Sequence, residues 1–307
     1  MPSAKIHPTA VVDPACQLAD DVEIGPLCVL DGPIKLGPGC RLVAQVHLRG
    51  PLEVGSGCSF YPFSAVGLPA QHTGIDHDAP GPGVRIGDNC TFREGVTVHA
   101  SMYVDEGGSS DNGDHPPTTI GNDCYLMGGS HIGHDVIVED SVLFANSAVV
   151  GGHAHIGRGC FISGNASIHQ RVRLGRGVII QGGAGSSTDV PPFGLVVDIN
   201  VMAGLNLVGM RRGGVPREEI TLVREAYRRA FKSGVTRPEQ QAMLDELATE
   251  SPVVAEIAEF VRTGTNPLAN GDGSLRSHHM TWLKRFLRTW KDGRNDANED
   301  QSGGDDH

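Results

Sequence analysis

The chain has 307 residues, a formal net charge of −11, 42 glycines and only 5% aromatic residues. That length allows one elongated domain or two compact ones, and so few aromatics argue against a conventional globular core. The acidic balance argues against a nucleic-acid partner, no apolar run is long enough for a bilayer, and the N-terminus has no basic-then-apolar leader, so a cytoplasmic protein is expected.

From Ile6 onward an aliphatic or aromatic residue recurs every six positions, through Val12, Leu18, Ile24 and so on to Val66. The phase resumes at Ile86, Phe92, Val98 and Val104, then runs unbroken from Ile120 to Ile180. Four residues after each lies a second, usually small apolar residue, such as Ala10, Val22, Ala148 and Ala166. A period of six fits neither a helix nor a flat sheet. It fits a triangular coil in which each side is a short strand and each corner a turn taken by Gly, Asn or Asp. Three hexapeptides make a turn of about 18 residues, and turns stack at roughly the 4.8 Å spacing of strands. All seven cysteines fall at the second inward position, which marks them as small buried hydrophobes rather than disulfides, ligands or nucleophiles.

Two polar, Gly/Pro-rich stretches break the phase, at about 67–85 and 105–119, and are expected to project as loops. The second fits a tolerated surface insertion better than the first. Beyond them, residues about 18 apart share an edge on adjacent turns. His134, Gly152 and Gln170 form one such column, with Asp135 and His153 beside it and His169 next to Gln170. Imidazole titrates near neutrality and serves as a general base, and a neighbouring carboxylate holds it in one tautomer. A lone surface histidine is usually just solvated. Polar groups stacked around a glycine on one corner are better explained by a site.

After Pro191-Pro192 the six-residue phase gives way to helical spacing, and a helical domain is expected over 194–262, with helices at about 216–232, 238–249 and 252–262. Thr236 with Glu239 reads as a capping box, and Ser251-Pro252 as an N-cap followed by proline. Arg224, Arg228 and Lys232 share one helical face, which suits either an acidic carrier protein or solvent. A Gly/Asn/Pro linker follows from residue 263. Residues 275–291 then read as a basic amphipathic helix for a membrane surface or a neighbouring subunit, and 292–307 as a disordered acidic tail.

Several motifs, in this order and spacing, resemble the acyl-carrier-protein-dependent UDP-N-acetylglucosamine 3-O-acyltransferases of lipid A biosynthesis. They are IHPTAVV from Ile6, EGVTVH ending at His99, HIGHD at 131–135, GGH at 151–153, IHQ at 168–170, DVPP at 189–192 and GMRRGGVPREEI at 209–220. The resemblance implies a left-handed parallel β-helix with a small helical C-terminal domain, assembled as a homotrimer, without cofactor or metal. It implies His134 as general base, Asp135 as its orienting partner and the Gly152 N–H as oxyanion donor. It further implies that Gln71, His72, His99, His131, His153, His169 and Gln170 contact the sugar, the acyl group or the phosphopantetheine arm. Asn206, Arg211 and Arg212 would lie at the nucleotide end, and Gly182 would cap a roomy acyl pocket. His72, Gly74, Val208 and Gly213 depart from the family pattern, which leaves a 3-amino analogue of the sugar open as acceptor. Two readings of other classes stand beside this one. One is a zinc hydratase of the carbonic anhydrase type with His131, His134 and His153 as ligands; the other is a non-catalytic scaffold.

Overall fold

The computed structural model describes residues 4–77, 81–102, 115–231 and 235–269. Short strands follow one another from Lys5–Ile6 to Val201–Leu205 and stack into three sheets of 11, 9 and 8 strands. Pairing is parallel and repeats every 18 residues in the uninterrupted stretches: Lys5 faces Glu23, Gln17 faces Lys35 and His131 faces Val149. The hexapeptide period therefore sets one side per sheet, in a left-handed parallel β-helix of about 10 turns.

From Ile24 onward the described residues in the expected phase fill the shaft, while Ile6 is exposed and Val12 and Leu18 are half-buried at its first coil. Ile24, Leu30, Leu36, Leu42, Phe60, Phe92, Ile132 and Ile162 are all buried, and each such side chain contributes about 1.5–3 kcal/mol. Phe60 and Phe92 stack with centroids 4.8 Å apart and planes 6° apart, so one coil's aromatic lies flat on the next. Six of the cysteines are buried and Cys16 is half-buried; their thiols lie against backbone carbonyls, as with Cys40 Sγ and Gly55 O at 3.0 Å. At the corners the backbone turns through the left-handed region, where Gly39, Gly57 and Gly129 sit at ease while Asn89, Asp123 and Asp135 tolerate it.

The two breaks in phase are loops between Ala65–Leu68 and Val84–Ile86 and between Thr97–His99 and Thr118–Ile120. Pairing skips across them: Ser59 faces Thr91, and Thr91 faces Tyr125. Val104 and most of the second loop lie outside the described residues.

The region expected to be helical from residue 194 opens instead with an antiparallel pair, Gly194–Asp198 against Val201–Leu205, turning at Asn200 (φ 60°). Ile179–Ile180, the coil's last strand in the 11-stranded sheet, would leave an unpaired edge, and this hairpin covers it by pairing Ile179 with Leu195. Four helices follow: α1 (Leu207–Arg212), α2 (Arg217–Ala230), α3 (Arg237–Ala248) and α4 (Pro252–Thr263). In α2 the stripe Ile220, Val223, Tyr227 and Ala230 is buried. The capping box of Thr236 with Glu239 forms, and Ser251 caps Val254 N at 3.1 Å.

The helices are pinned to the end of the shaft by Arg176 with Glu256 (2.6 Å), by Tyr227 Oη donating to Pro192 O (2.5 Å), and by Arg173 over the Phe260 ring (4.3 Å). Residues 264–269, expected as linker, return to the shaft: Leu268 bridges Asp189, and Asn266 Nδ2 donates to the buried Asp189 carboxylate at 3.0 Å. The segments 275–291 and 292–307 lie outside the described residues. Among the described residues no helix is long and apolar enough to cross a membrane.

Candidate active site

His134 sits on the corner that follows strand His131–Ile132 of the nine-stranded sheet. The column expected there forms through direct contact between coils. His153 N donates to His134 O and Arg171 N to Gly152 O, both at 2.9 Å. Gly152 lies against the imidazole so closely that a Cβ placed there would meet His134 Cε1 and Nε2 at 2.6 Å. One coil further, a Cβ on Gly151 would meet Gln170 N at 2.7 Å, which places Gln170 and His169 next in the stack.

Among the described residues the Gly152 amide is uncommitted. At the corresponding corner position on the edge after the eight-stranded sheet, the N–H groups of Asn122 and Arg158 are taken by Asp140 and Glu139 carboxylates. Among the described residues nothing accepts from Gly152 N–H.

The Asp135 carboxylate takes His134 Nδ1 at 2.6 Å. With Nδ1 carrying the proton, Nε2 on the Gly152 side is left as a base. The other ligands of Asp135 come from the second loop. Ser101 Oγ donates to Oδ1, and Met102 N lies 3.2 and 3.1 Å from the two oxygens. The Asp135 N–H, at φ 58°, donates to the buried Thr118 Oγ1 at 2.8 Å. The second loop, which fits a tolerated insertion better than the first, thus has both stems on the His134 corner. Burial pushes the Asp135 carboxyl up, but the hydrogen bonds from His134, Ser101 and Met102 outweigh it and hold the group below the usual carboxylate range. His153 stands edge-on to His134, ring centroids 4.9 Å apart, with Nε2 3.8 Å from Asp135 Oδ2.

A second imidazole pair lies on the face just before that corner. His99 and His131 rings are 5.2 Å apart and tilted by 57°. His131 Nδ1 meets Thr97 Oγ1 at 2.8 Å, and His99 Nδ1 donates to Pro69 O at 2.6 Å, tying down the first loop. Burial, then the His99 and His134 charges, push His131 down to about 4. Burial likewise lowers His99, which is enclosed under the loop. The pair stays neutral at pH 7. Below this loop a cavity of about 330 Å³, lined by Arg49, Ile75, Asp76 and His77 among others, reaches Ser101.

Gln71 and His72 are exposed on the first loop, where His72 Nδ1 accepts from Gly74 N at 3.0 Å. Gly182 opens a corner after Ile179–Ile180 of the 11-stranded sheet, a different edge from His134. Asn206 is spent structurally: its Oδ1 caps Gly209 N at 2.7 Å and its Nδ2 donates to Gly177 O at 2.8 Å. Arg211 and Arg212 are exposed in the last turn of α1, beyond the end of the coil. Within one chain, then, Gly182, Asn206, Arg211 and Arg212 do not join the His134 corner. Ser101 and Thr118 are the members that sequence reasoning missed, and single hydroxyls in an aperiodic loop carry no local signal.

The donor atoms of His134, Asp135 and His153 lie within 4.8 Å of one another, a different trio from the one the zinc reading requires. His131 is turned to Thr97 instead, and the Asp135 oxygens are already held by His134, Ser101 and Met102.

The chain matches two family models. Residues 189–269 match the second domain of UDP-N-acetylglucosamine O-acyltransferase, and residues 117–152 match six repeats of the bacterial transferase hexapeptide. It is 32% identical over 277 residues to an acyl-[acyl-carrier-protein]--UDP-N-acetylglucosamine O-acyltransferase of Sinorhizobium fredii, covering 88% of this chain and 98% of that protein. The counterpart from an Anaeromyxobacter species is 37% identical over 258 residues, 84% and 95% of the two chains. Among solved structures, the UDP-N-acetylglucosamine O-acyltransferase of Moraxella catarrhalis superposes with a TM-score of 0.79 at 30% identity, covering 86% of this chain and 99% of that one. The Francisella novicida acyltransferase gives 0.80 at 27%, covering 88% and 95%. Repeat, corner geometry and near-complete coverage agree: the chain belongs to the UDP-N-acetylglucosamine O-acyltransferase family.

Proposed function

We propose that this protein transfers a long 3-hydroxyacyl group from the thioester of acyl carrier protein to the 3-hydroxyl of UDP-N-acetylglucosamine, the first step of lipid A biosynthesis, in the cytoplasm. The observation that carries the reading is the wedge of one imidazole between a carboxylate at 2.6 Å and a glycine with an uncommitted amide. Asp135 holds His134 with Nε2 unprotonated, and Nε2 takes the proton of the attacking hydroxyl. The new C–O bond forms as the carbonyl oxygen becomes an oxyanion, which accepts from Gly152 N–H. Collapse breaks the C–S bond, and imidazolium returns the proton to the leaving thiolate. Transfer is direct, since every cysteine is committed to the shaft or its end.

Gln71, His72, His99, His131, His153, His169 and Gln170 are assigned to the sugar, the acyl group or the phosphopantetheine arm. A cavity of about 210 Å³ beside His169, lined by Ile168, Gly185, Ile199, Ser167, Ser186 and Ser187, suits the mixed apolar and amide character of the arm. Gly182 and the nucleotide-end residues Asn206, Arg211 and Arg212 stand on other parts of the chain, so a neighbouring protomer of a homotrimer would bring them to this corner. A second acceptor, the 3-amino sugar, is favoured by the loop that presents His72 and Gly74, where the resemblance leads one to expect an acid and a lysine. One experiment tests both readings. Long-chain 3-hydroxyacyl carrier protein is offered with UDP-N-acetylglucosamine and separately with its 3-amino analogue, and the product is identified by mass. An ester on the first supports the main reading, an amide on the second alone moves the acceptor, and no acyl sugar from either refutes acyl transfer.

A further inference from the structure

We propose that Ser101 is a positioning residue for the transfer step: its hydroxyl, with the neighbouring Met102 amide, fixes the Asp135 carboxylate in the orientation from which it steers His134. The inference rests on the proposed acyl-transfer reading and deepens it.

Asp135 occupies a left-handed corner (φ 58°), and its carboxylate orientation is set by what bonds to it. Two groups on one stem of the second loop hold the carboxylate, and a third on the other stem holds its backbone. Ser101 Oγ donates to Oδ1, Met102 N approaches both oxygens at 3.1–3.2 Å, and Thr118 Oγ1 takes the Asp135 N–H at 2.8 Å. The stems are themselves fixed, because Ser101 N and Thr118 N both donate to Gly83 O, at 3.1 and 3.2 Å. Ser101 is buried and cannot trade this bond for water. Its Oγ also lies 2.8 Å from Pro116 O, but its single hydrogen goes to the charged acceptor, the stronger of the two. The remaining charged or titratable groups near the carboxylate are His134 and His153, with His99 and His131 behind His134. No cation other than an imidazolium contributes there among the described residues.

The test is Ser101→Ala in the full chain. Loss of the donor makes the carboxylate more basic, so it holds an imidazolium at His134 more firmly. The acid limb of the kcat/KM profile then moves to higher pH, and kcat falls about tenfold with KM changed less than about twofold. In the proton NMR spectrum, the downfield Nδ1–H resonance of His134, assigned by its loss in His134→Ala, shifts in Ser101→Ala. Ser101→Thr, which keeps the hydroxyl, restores both. If Ser101→Ala does not fold, Ser101→Cys, a weak donor of similar shape, takes its place with the same expectations. Wild-type kcat and an unmoved resonance in the hydroxyl-free variant overturn the proposal, as does a Thr variant as impaired as Ala. The resonance is read without substrates, so it decides the role of Ser101 even if no acceptor sugar is acylated.

Discussion

Gly152→Ala is the most informative small change available. A methyl there would lie 2.6 Å from His134 Cε1 and Nε2, where ordinary contact begins at 3.4 Å. Relief requires the ring to retreat by roughly 1 Å, a displacement worth about 10²-fold in rate at a catalytic group. The 2.6 Å bond to Asp135 opposes that retreat, so part of the strain is felt as lost stability, on the order of 1–3 kcal/mol for overpacking. The Gly152 φ lies outside the left-handed range, so alanine meets no backbone penalty and the clash with the ring is the dominant effect. Single-turnover acyl transfer, with thermal melts alongside, measures both terms. The same substitution in a His134→Ala background should then cost nothing further, because the atom it strikes is gone. Transfer within about threefold of wild type in the single variant, or a full additional loss in the double variant, would refute the stacking of amide on imidazole.

Two other predictions concern protons and metal. His131 is pushed down to about 4 by burial, so between that value and its ordinary value near 6.5 the unfolded chain binds a proton that the folded chain does not. Its contribution to stability is complete above about pH 6.5 and is lost as pH falls, so the melting temperature drops between about pH 6.5 and pH 4, and His131→Asn flattens that slope. The zinc reading is checked by elemental analysis of the purified protein. Far less than one zinc per chain and full transfer after chelation are expected, whereas stoichiometric zinc with activity lost to chelator would reverse the assignment.

The shaft was legible in the sequence because its physics is periodic. A residue such as Phe92 is forced inward every sixth position, and the cysteines at the second inward slot share that constraint. The column of His134, Gly152 and Gln170 was legible for the same reason, since no loop interrupts the coil between them. What escaped was set by tertiary demand. Gly194–Asp198 and Val201–Leu205 are strands because a sheet edge needed covering, although their Val-rich alternation about Asn200 was there to be noticed. Asn206 reads as a polar ligand until its role as the cap of α1 is seen. Ser101 and Thr118 reach Asp135 only through loop stems that no periodicity reports.

In the proposed reaction His134 is the base that takes the acceptor's proton. The direct measurement is the kcat/KM for acyl transfer by His134→Ala beside wild type, with melting temperatures to show that both are folded. A fall of about 10²-fold or more in a stable variant is the expected result. A stable variant that still acylates the sugar at close to the wild-type rate would show that the chemistry lies elsewhere on the chain.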